Sequence, residues 1–162
     1  MTKAKASKAW NPESLYLYVI VRQDLDSMGR GRAAAQASHA ANQMVYENFI
    51  QDGPPGTEPR REMVRDWMEQ TPYGFGTQIV KKVKSLKELE DTFDLLRENF
   101  HEGFPAVYGM TIDPEYFVPD GTAGHLVSDV KTAMFVLAPR DSELVTEVIR
   151  PIDLLDNDPP VR

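Results

Sequence analysis

The chain has 162 residues, 41% hydrophobic and 9% aromatic, enough for one domain with its own core and too apolar for disorder along its whole length. Its formal charge of −7 excludes a surface that is basic all over, and the balance is uneven: residues 1–40 hold six Lys/Arg and three acids, against 12 and 22 in residues 41–162, so an RNA-facing patch belongs to the N-terminal end, joined by Lys81, Lys82 and Lys84. The lack of cysteine excludes disulfides, thiol nucleophiles and thiolate metal sites, and no apolar run nears the roughly 18–20 residues that span a bilayer, which without a signal-peptide core reads as a soluble, cytoplasmic protein that uses no membrane.

Residues 1–14 are polar and read as a flexible basic arm. Residues 15–21, Leu-Tyr-Leu-Tyr-Val-Ile-Val, have β-branched, aromatic and aliphatic side chains without a polar face, as in a strand buried on both sides. After Met28-Gly-Arg-Gly-Arg32 an alanine-rich stretch free of Gly and Pro predicts a helix to about Ile50, with Ala37, Ala41, Met44, Val45 and Phe49 on its apolar face. Asp52-Gly-Pro-Pro-Gly56 is a loop, and Pro59 opens a short helix carrying Met63, Val64, Trp67 and Met68 that ends at residues 72–76. Residues 78–84 predict a second strand. Ser85 and Glu88 form a capping-box pattern before Leu86, Leu89, Phe93, Leu96 and Phe100, which repeat at helical spacing until Gly103.

Residues 105–112 and 132–138 predict a third and a fourth strand, and Asp141 or Ser142 caps a last helix ending before Pro151. Strands alternating with helices predict an α/β fold: a three-layer sandwich, a four-stranded mixed sheet with helices on both faces, forming a single domain over residues 15–155 before a solvated tail at 156–162.

Met28-Gly-Arg-Gly-Arg32 joins a buried strand to a helix N-terminus, where free N–H groups and the helix dipole favour an anion. Gly29 and Gly31 let backbone approach a ligand, and Arg30 and Arg32 offer bidentate phosphate contacts. The spacing matches neither the dinucleotide nor the Walker motif, and the same residues also fit a tight connection with solvated charges. On the helix, Arg32, Gln36, His39 and Gln43 fall within roughly 60° of one another, away from the alanine and methionine face. The stripe offers a guanidinium, amides and an imidazole; read plainly, it is a solvated polar face with a histidine bonded to a neighbour. His101 and His125 lack ligand spacing, so no metal site is expected, and Trp10 and Trp67 read as packing residues.

Three stretches, Val19-Ile-Val-Arg-Gln-Asp-Leu25, Met28-Gly-Arg-Gly-Arg32 and Ala34-Ala-Gln-Ala-Ser-His-Ala-Ala41, resemble the type II peptidyl-tRNA hydrolase family. That family has a strand ending in Arg-x-Asp-Leu, a Met-Gly-Lys-Gly-Lys turn and an Ala-Ala-Gln-x-x-His-Ala helix. Residues 79–89 and 135–139 resemble its second strand with the following helix start, and its final strand. The resemblance implies an esterase that cleaves the nascent peptide from the tRNA 3′ ribose without metal or cofactor, with tRNA as partner; a homodimer stays open.

It also implies catalytic positions at Arg32, Gln36, His39 and an aspartate after the third strand. Around them the expected substrate-contacting set is Arg22, Asp24, Met28, Gly29, Arg30, Gly31, Gln43, Lys82, Thr122 and Thr132. Two departures stand out. Arginine replaces lysine at positions 30 and 32, and a guanidinium holds phosphate or an oxyanion but does not shuttle protons. Asp113 ends the third strand, whereas the Gly and Thr that follow the family's aspartate here follow Asp120; Asp113 is favoured by its place, and both also fit plain turn residues.

In the implied chemistry the aspartate orients or deprotonates water, directly or through His39, while Arg32 and the turn N–H groups bind phosphate or the oxyanion. Two other classes fit the same residues: a tRNA-binding module without hydrolysis, and a nucleotide- or phosphometabolite-binding protein.

Overall fold

The structure, a computed structural model, describes residues 9–25, 27–51, 57–99, 106–118 and 124–155. Residues 1–8 of the expected arm, the 52–56 loop, Phe100, His101, Gly103, Asp120, Thr122 and the 156–162 tail lie outside them. In chain order the elements are β1 (Leu15–Arg22), α1 (Arg30–Val45) with a π-helical continuation (Tyr46–Ile50), α2 (Glu58–Met68), β2 (Gln78–Val83), α3 (Leu86–Glu98), β3 (Val107–Asp113), β4 (Tyr116–Val118), β5 (His125–Val127), β6 (Val130–Pro139), a π-helical turn (Val145–Ile149) and β7 (Asp153–Leu154).

The apolar run that predicts a doubly buried strand forms the middle of the sheet, whose order is β3-β6-β1-β2-β7. β2 lies parallel to β1 and β6 antiparallel, so that Val19 stands between Val80 and Phe135. Because a strand's side chains alternate, β1 serves two cores. Leu15, Leu17, Val19 and Val21 meet Ala33, Ala37, Ala40 and Met44 of α1 and Met63, Val64 and Trp67 of α2. Tyr18 and Ile20 meet Leu89 and Leu96 of α3 and Leu144, Val145 and Ile149 beyond β6. Helices therefore cover both faces, which is why β1 shows no polar alternation. No helix among the described residues is long and apolar enough to cross a membrane.

Local signals set the helix ends. Ser85 Oγ accepts from Glu88 N–H (3.2 Å) at the start of α3, and Glu88 returns the bond to Lys84 N–H (2.7 Å). Ser142, not Asp141, caps the last turn, its Oγ accepting from Val145 N–H at 3.3 Å. α2 begins at Glu58, one residue before Pro59.

The sheet has five strands where the sequence predicts four. The addition is β7, whose two residues pair with Lys81 and Lys82 and are too few to show a period. Lys81, expected to join an RNA-facing patch, is accordingly buried: its Nζ donates to Ile152 O and, at 3.4 Å, to Arg150 O, and burial pushes the ammonium below its ordinary pKa, with Asp153 opposing. Ahead of β1 the expected arm is tied down at its end, since Trp10 Nε1 donates to Asp66 Oδ2 (2.9 Å) and Pro12–Ser14 form a 3-10 turn.

At the end of β1 the buried Arg22 forks onto Asp24, with Nε to Oδ1 at 2.5 Å and Nη2 to Oδ2 at 2.8 Å. Arg22 Nη1 also donates to Lys131 O (3.2 Å), and Asp24 Oδ2 accepts from Leu86 N–H (3.1 Å). The pair thus joins β1 to β6 and to the first turn of α3. The bond from Arg22 holds the Asp24 carboxyl below its ordinary pKa against the opposing effect of burial, and the Leu86 N–H adds to it.

Two outcomes follow. A Cβ on Gly109 would stand 2.4 Å from Phe135 Cζ, a fully buried ring on the neighbouring strand, so Gly109→Ala costs about 1–3 kcal/mol, read as a lower urea midpoint; an unchanged midpoint refutes the steric argument. A carboxyl depressed in the folded state contributes stability that is present above its unfolded pKa of about 3.9 and lost as pH falls through the folded value. Asp24→Asn therefore lowers the unfolding free energy by about 1 kcal/mol at neutral pH and by less at about pH 3, and an equal loss at both, measured by urea unfolding, contradicts the assignment.

Candidate active site

α1 starts at Gly29, which takes the extended N-cap conformation (φ −74°, ψ 172°) with no side-chain cap. The first-turn N–H groups at Arg30, Gly31 and Arg32 are thus left without a capping acceptor. A Cβ added to Gly29 or Gly31 would meet nothing within 4 Å, and both residues are exposed. The fold itself does not need glycine there; the missing side chains leave bare backbone at a positive helix end. Met28 N–H donates to Leu25 O (2.7 Å) and its side chain enters the core, so Met28 anchors the turn from below.

The alanines at 33, 37 and 40 bring α1 close to the sheet, and they carry one polar side chain into that interface with them. Gln36 is 4% exposed. Its Oε1 accepts from Thr132 Oγ1 of β6 (2.6 Å), which turns its amide N–H group toward Asp113 at the end of β3, where Nε2 donates to Oδ2 (2.7 Å). Asp113 Oδ1 accepts from Glu115 N–H (3.0 Å). Thr132, Gln36 and Asp113 come from three elements and form one chain of hydrogen bonds running from a fully buried hydroxyl to a half-buried carboxylate. Each carboxylate oxygen keeps a lone pair for a further donor.

The rest of the predicted stripe faces the same side and divides along the helix. Arg32 Nη1 donates to Phe117 O of β4 (2.6 Å), and its guanidinium lies 5.6 Å and 5.4 Å from the ring centroids of Tyr116 and Phe117. Ser27 Oγ bonds Tyr116 Oη (2.8 Å) and Phe117 O (3.1 Å), fastening the turn to the same strand. His39 is exposed, one turn beyond Gln36, on the wall of a groove that includes Ile112 and Pro114, the residues flanking Asp113. Gln43 bonds Met110 O (3.1 Å) and Glu47 (2.8 Å), holding α1 to β3.

Of the expected residues, then, Gln36, Asp113 and Thr132 are joined directly, and Arg30, Arg32, Gly29, Gly31 and His39 border them along α1. Arg22 and Asp24 are engaged with each other. Lys82 lies on β2, separated from β3 by β1 and β6, and lines a different hollow with Gln23, Lys84 and Asp153. Asp120 and Thr122 lie outside the described residues, between β4 and β5. Sequence reasoning missed Ser27, Tyr116 and Phe117 as partners of the turn, because strands of three residues carry no period.

Residues 15–106 match the family model described as Peptidyl-tRNA hydrolase PTH2. The chain is 35% identical over 130 residues to a peptidyl-tRNA hydrolase of Aeropyrum pernix, covering 80% of this chain and 87% of that protein. It is 35% identical over 88 residues to a peptidyl-tRNA hydrolase of Sulfolobus acidocaldarius, covering 54% of this chain and 64% of that protein. The matched span holds the glycine-rich turn together with Gln36 and His39, and on these matches the chain belongs to the peptidyl-tRNA hydrolase PTH2 family.

Proposed function

We propose that the chain hydrolyses the ester joining a peptide to the 3′ ribose of tRNA, with Asp113 orienting and deprotonating the attacking water. The observation that carries the reading is the Thr132, Gln36, Asp113 chain of hydrogen bonds beside an uncapped, arginine-bearing helix N-terminus. Ester hydrolysis needs a fixed base for water and donors for the charge that develops on the carbonyl oxygen. The water oxygen attacks the carbonyl carbon, its proton passes to Asp113 directly or through His39, and collapse of the tetrahedral intermediate expels the ribose oxygen, which takes that same proton back and leaves the carboxylate free.

Gln36 is a positioning residue: its amide, fixed by Thr132, fixes the carboxylate. Arg30, Arg32 and the first-turn N–H groups of α1 take a phosphate of the tRNA or the oxyanion. No metal or cofactor enters this scheme. The groups come from one chain, so turnover needs no second copy, and sedimentation decides whether the homodimer forms. The activity belongs in the cytoplasm, with tRNA as partner.

Release of peptide from an N-acetylated aminoacyl-tRNA by the purified wild-type chain is the primary test; tRNA binding with no release favours a binding module instead. Asp113→Asn, nearly the same shape but with an NH2 turned against the Gln36 amide or the Glu115 N–H, lowers kcat by about 10²–10⁴ in a variant that still folds by circular dichroism, and a variant at the wild-type rate removes Asp113 from the mechanism. Arg32→Ala raises KM and reduces the slope of log affinity against log salt by about one, whereas Arg32→Lys keeps the charge and the slope. An unchanged slope in Arg32→Ala means that Arg32 meets no phosphate.

A further inference from the structure

The site continues on the side away from the basic turn. The second half of α1, its π-helical continuation and residues 111–114 at the edge of the sheet enclose an open groove of ≈ 990 Å³. Tyr46, Ile50 and Ile112 in its walls are 52%, 63% and 48% exposed, a run of large apolar side chains that a folded protein ordinarily keeps covered or uses. The lining contains no lysine or arginine, so it offers phosphate no fixed positive charge. It does contain Thr111, 3% exposed, whose Oγ1 is buried without a hydrogen-bond partner among the described residues. Buried hydroxyls are nearly always bonded, so this one carries an unmet bond just behind the groove wall, which a small side-chain rotation would present to a ligand.

We propose that this groove holds the acyl half of the substrate: the C-terminal residues of the peptide, with an apolar side chain against Tyr46, Ile50 and Ile112 and a backbone group bonded to the Thr111 hydroxyl. The inference rests on the hydrolase reading. Its geometric basis is continuity, because Ile112 and Pro114 in the groove wall flank Asp113. An ester has two sides. Along α1 the arginine turn lies N-terminal to Gln36 and the groove C-terminal to it, so a tRNA phosphate at the turn directs the acyl group into the groove. From Gln36 to Tyr46 the helix rises about 15 Å, the span of about four extended residues. The contact therefore selects for the last few residues of the peptide and not for its length.

The test uses one tRNA body carrying acetylated dipeptides that end in leucine or in glycine, with the full chain as enzyme. Wild type favours the leucine ester in kcat/KM by about tenfold or more, the scale that apolar pockets achieve. In the double variant Tyr46→Ala, Ile50→Asp, both positions more than half exposed and safe for folding, the leucine preference falls by about tenfold while the affinity for uncharged tRNA stays the same. Thr111→Val, which removes an unpaired hydroxyl at constant shape, raises KM for both esters without lowering the melting temperature. A preference unchanged in the double variant, or equal losses on both esters, overturns the groove assignment and leaves the hydrolase reading standing. A wild-type dimer that Ile50→Asp splits overturns it too, by showing a second copy in the groove. If wild type releases neither peptide, the hydrolase reading falls and the groove assignment with it.

Discussion

A primary amide buried against a sheet must have its oxygen and its N–H groups bonded, or the fold loses the free energy of desolvating them. Gln36 is the one polar side chain that α1 buries, and its two partners, Thr132 and Asp113, stand on adjacent strands. The amide thereby sets the register of α1 over the sheet as well as the direction of the carboxylate. A shift of one helical turn would leave the amide and the fully buried Thr132 hydroxyl unbonded at once. The same two bonds that fix the helix also orient the Asp113 carboxylate, so it is held without any contact dedicated to that purpose.

The alanines make this arrangement feasible. With Ala33, Ala37 and Ala40 against β1 and β6, α1 sits low enough for the short threonine hydroxyl to reach the amide. Covering both faces of β1 then costs the outer strands little, since β3 needs only α1 on one side and keeps its far edge open. That open edge is where the groove forms. The same edge strand carries Asp113 at its end and Thr111 and Ile112, which line the groove, just before it.

What the sequence made legible follows from the range of the interactions. β1 and α3 are visible because their apolar periods and the Ser85 cap are local, and the Arg32, Gln36, His39, Gln43 stripe is visible because helical geometry alone groups it. Its partners were not derivable from spacing: Thr132 lies 96 residues and Asp113 77 residues from Gln36. The family resemblance, not periodicity, named them. β7, β4 and β5 escaped because two or three residues show no period, and with β7 went the burial of Lys81, a side chain whose composition says surface. Arg22 and Asp24, expected at the substrate, form a short ion pair to which the Leu86 N–H adds a third partner, and spacing alone shows neither contact.

Two features singled out in the sequence, arginine at position 32 and the stretch between Asp113 and Asp120, meet in one contact. That stretch builds β4, and β4 presents Tyr116, Phe117 and the Phe117 carbonyl to Arg32. The guanidinium lies within cation–π range of both rings while it donates to the carbonyl, and its fixed fork of donors suits such a divided contact better than an ammonium does. Arginine is therefore the residue that fits this connection. It also retains donors: with Nη1 committed to Phe117, Nε and Nη2 remain for an anion at the α1 N-terminus. The guanidinium thus links β4 to the glycine-rich turn at the start of α1.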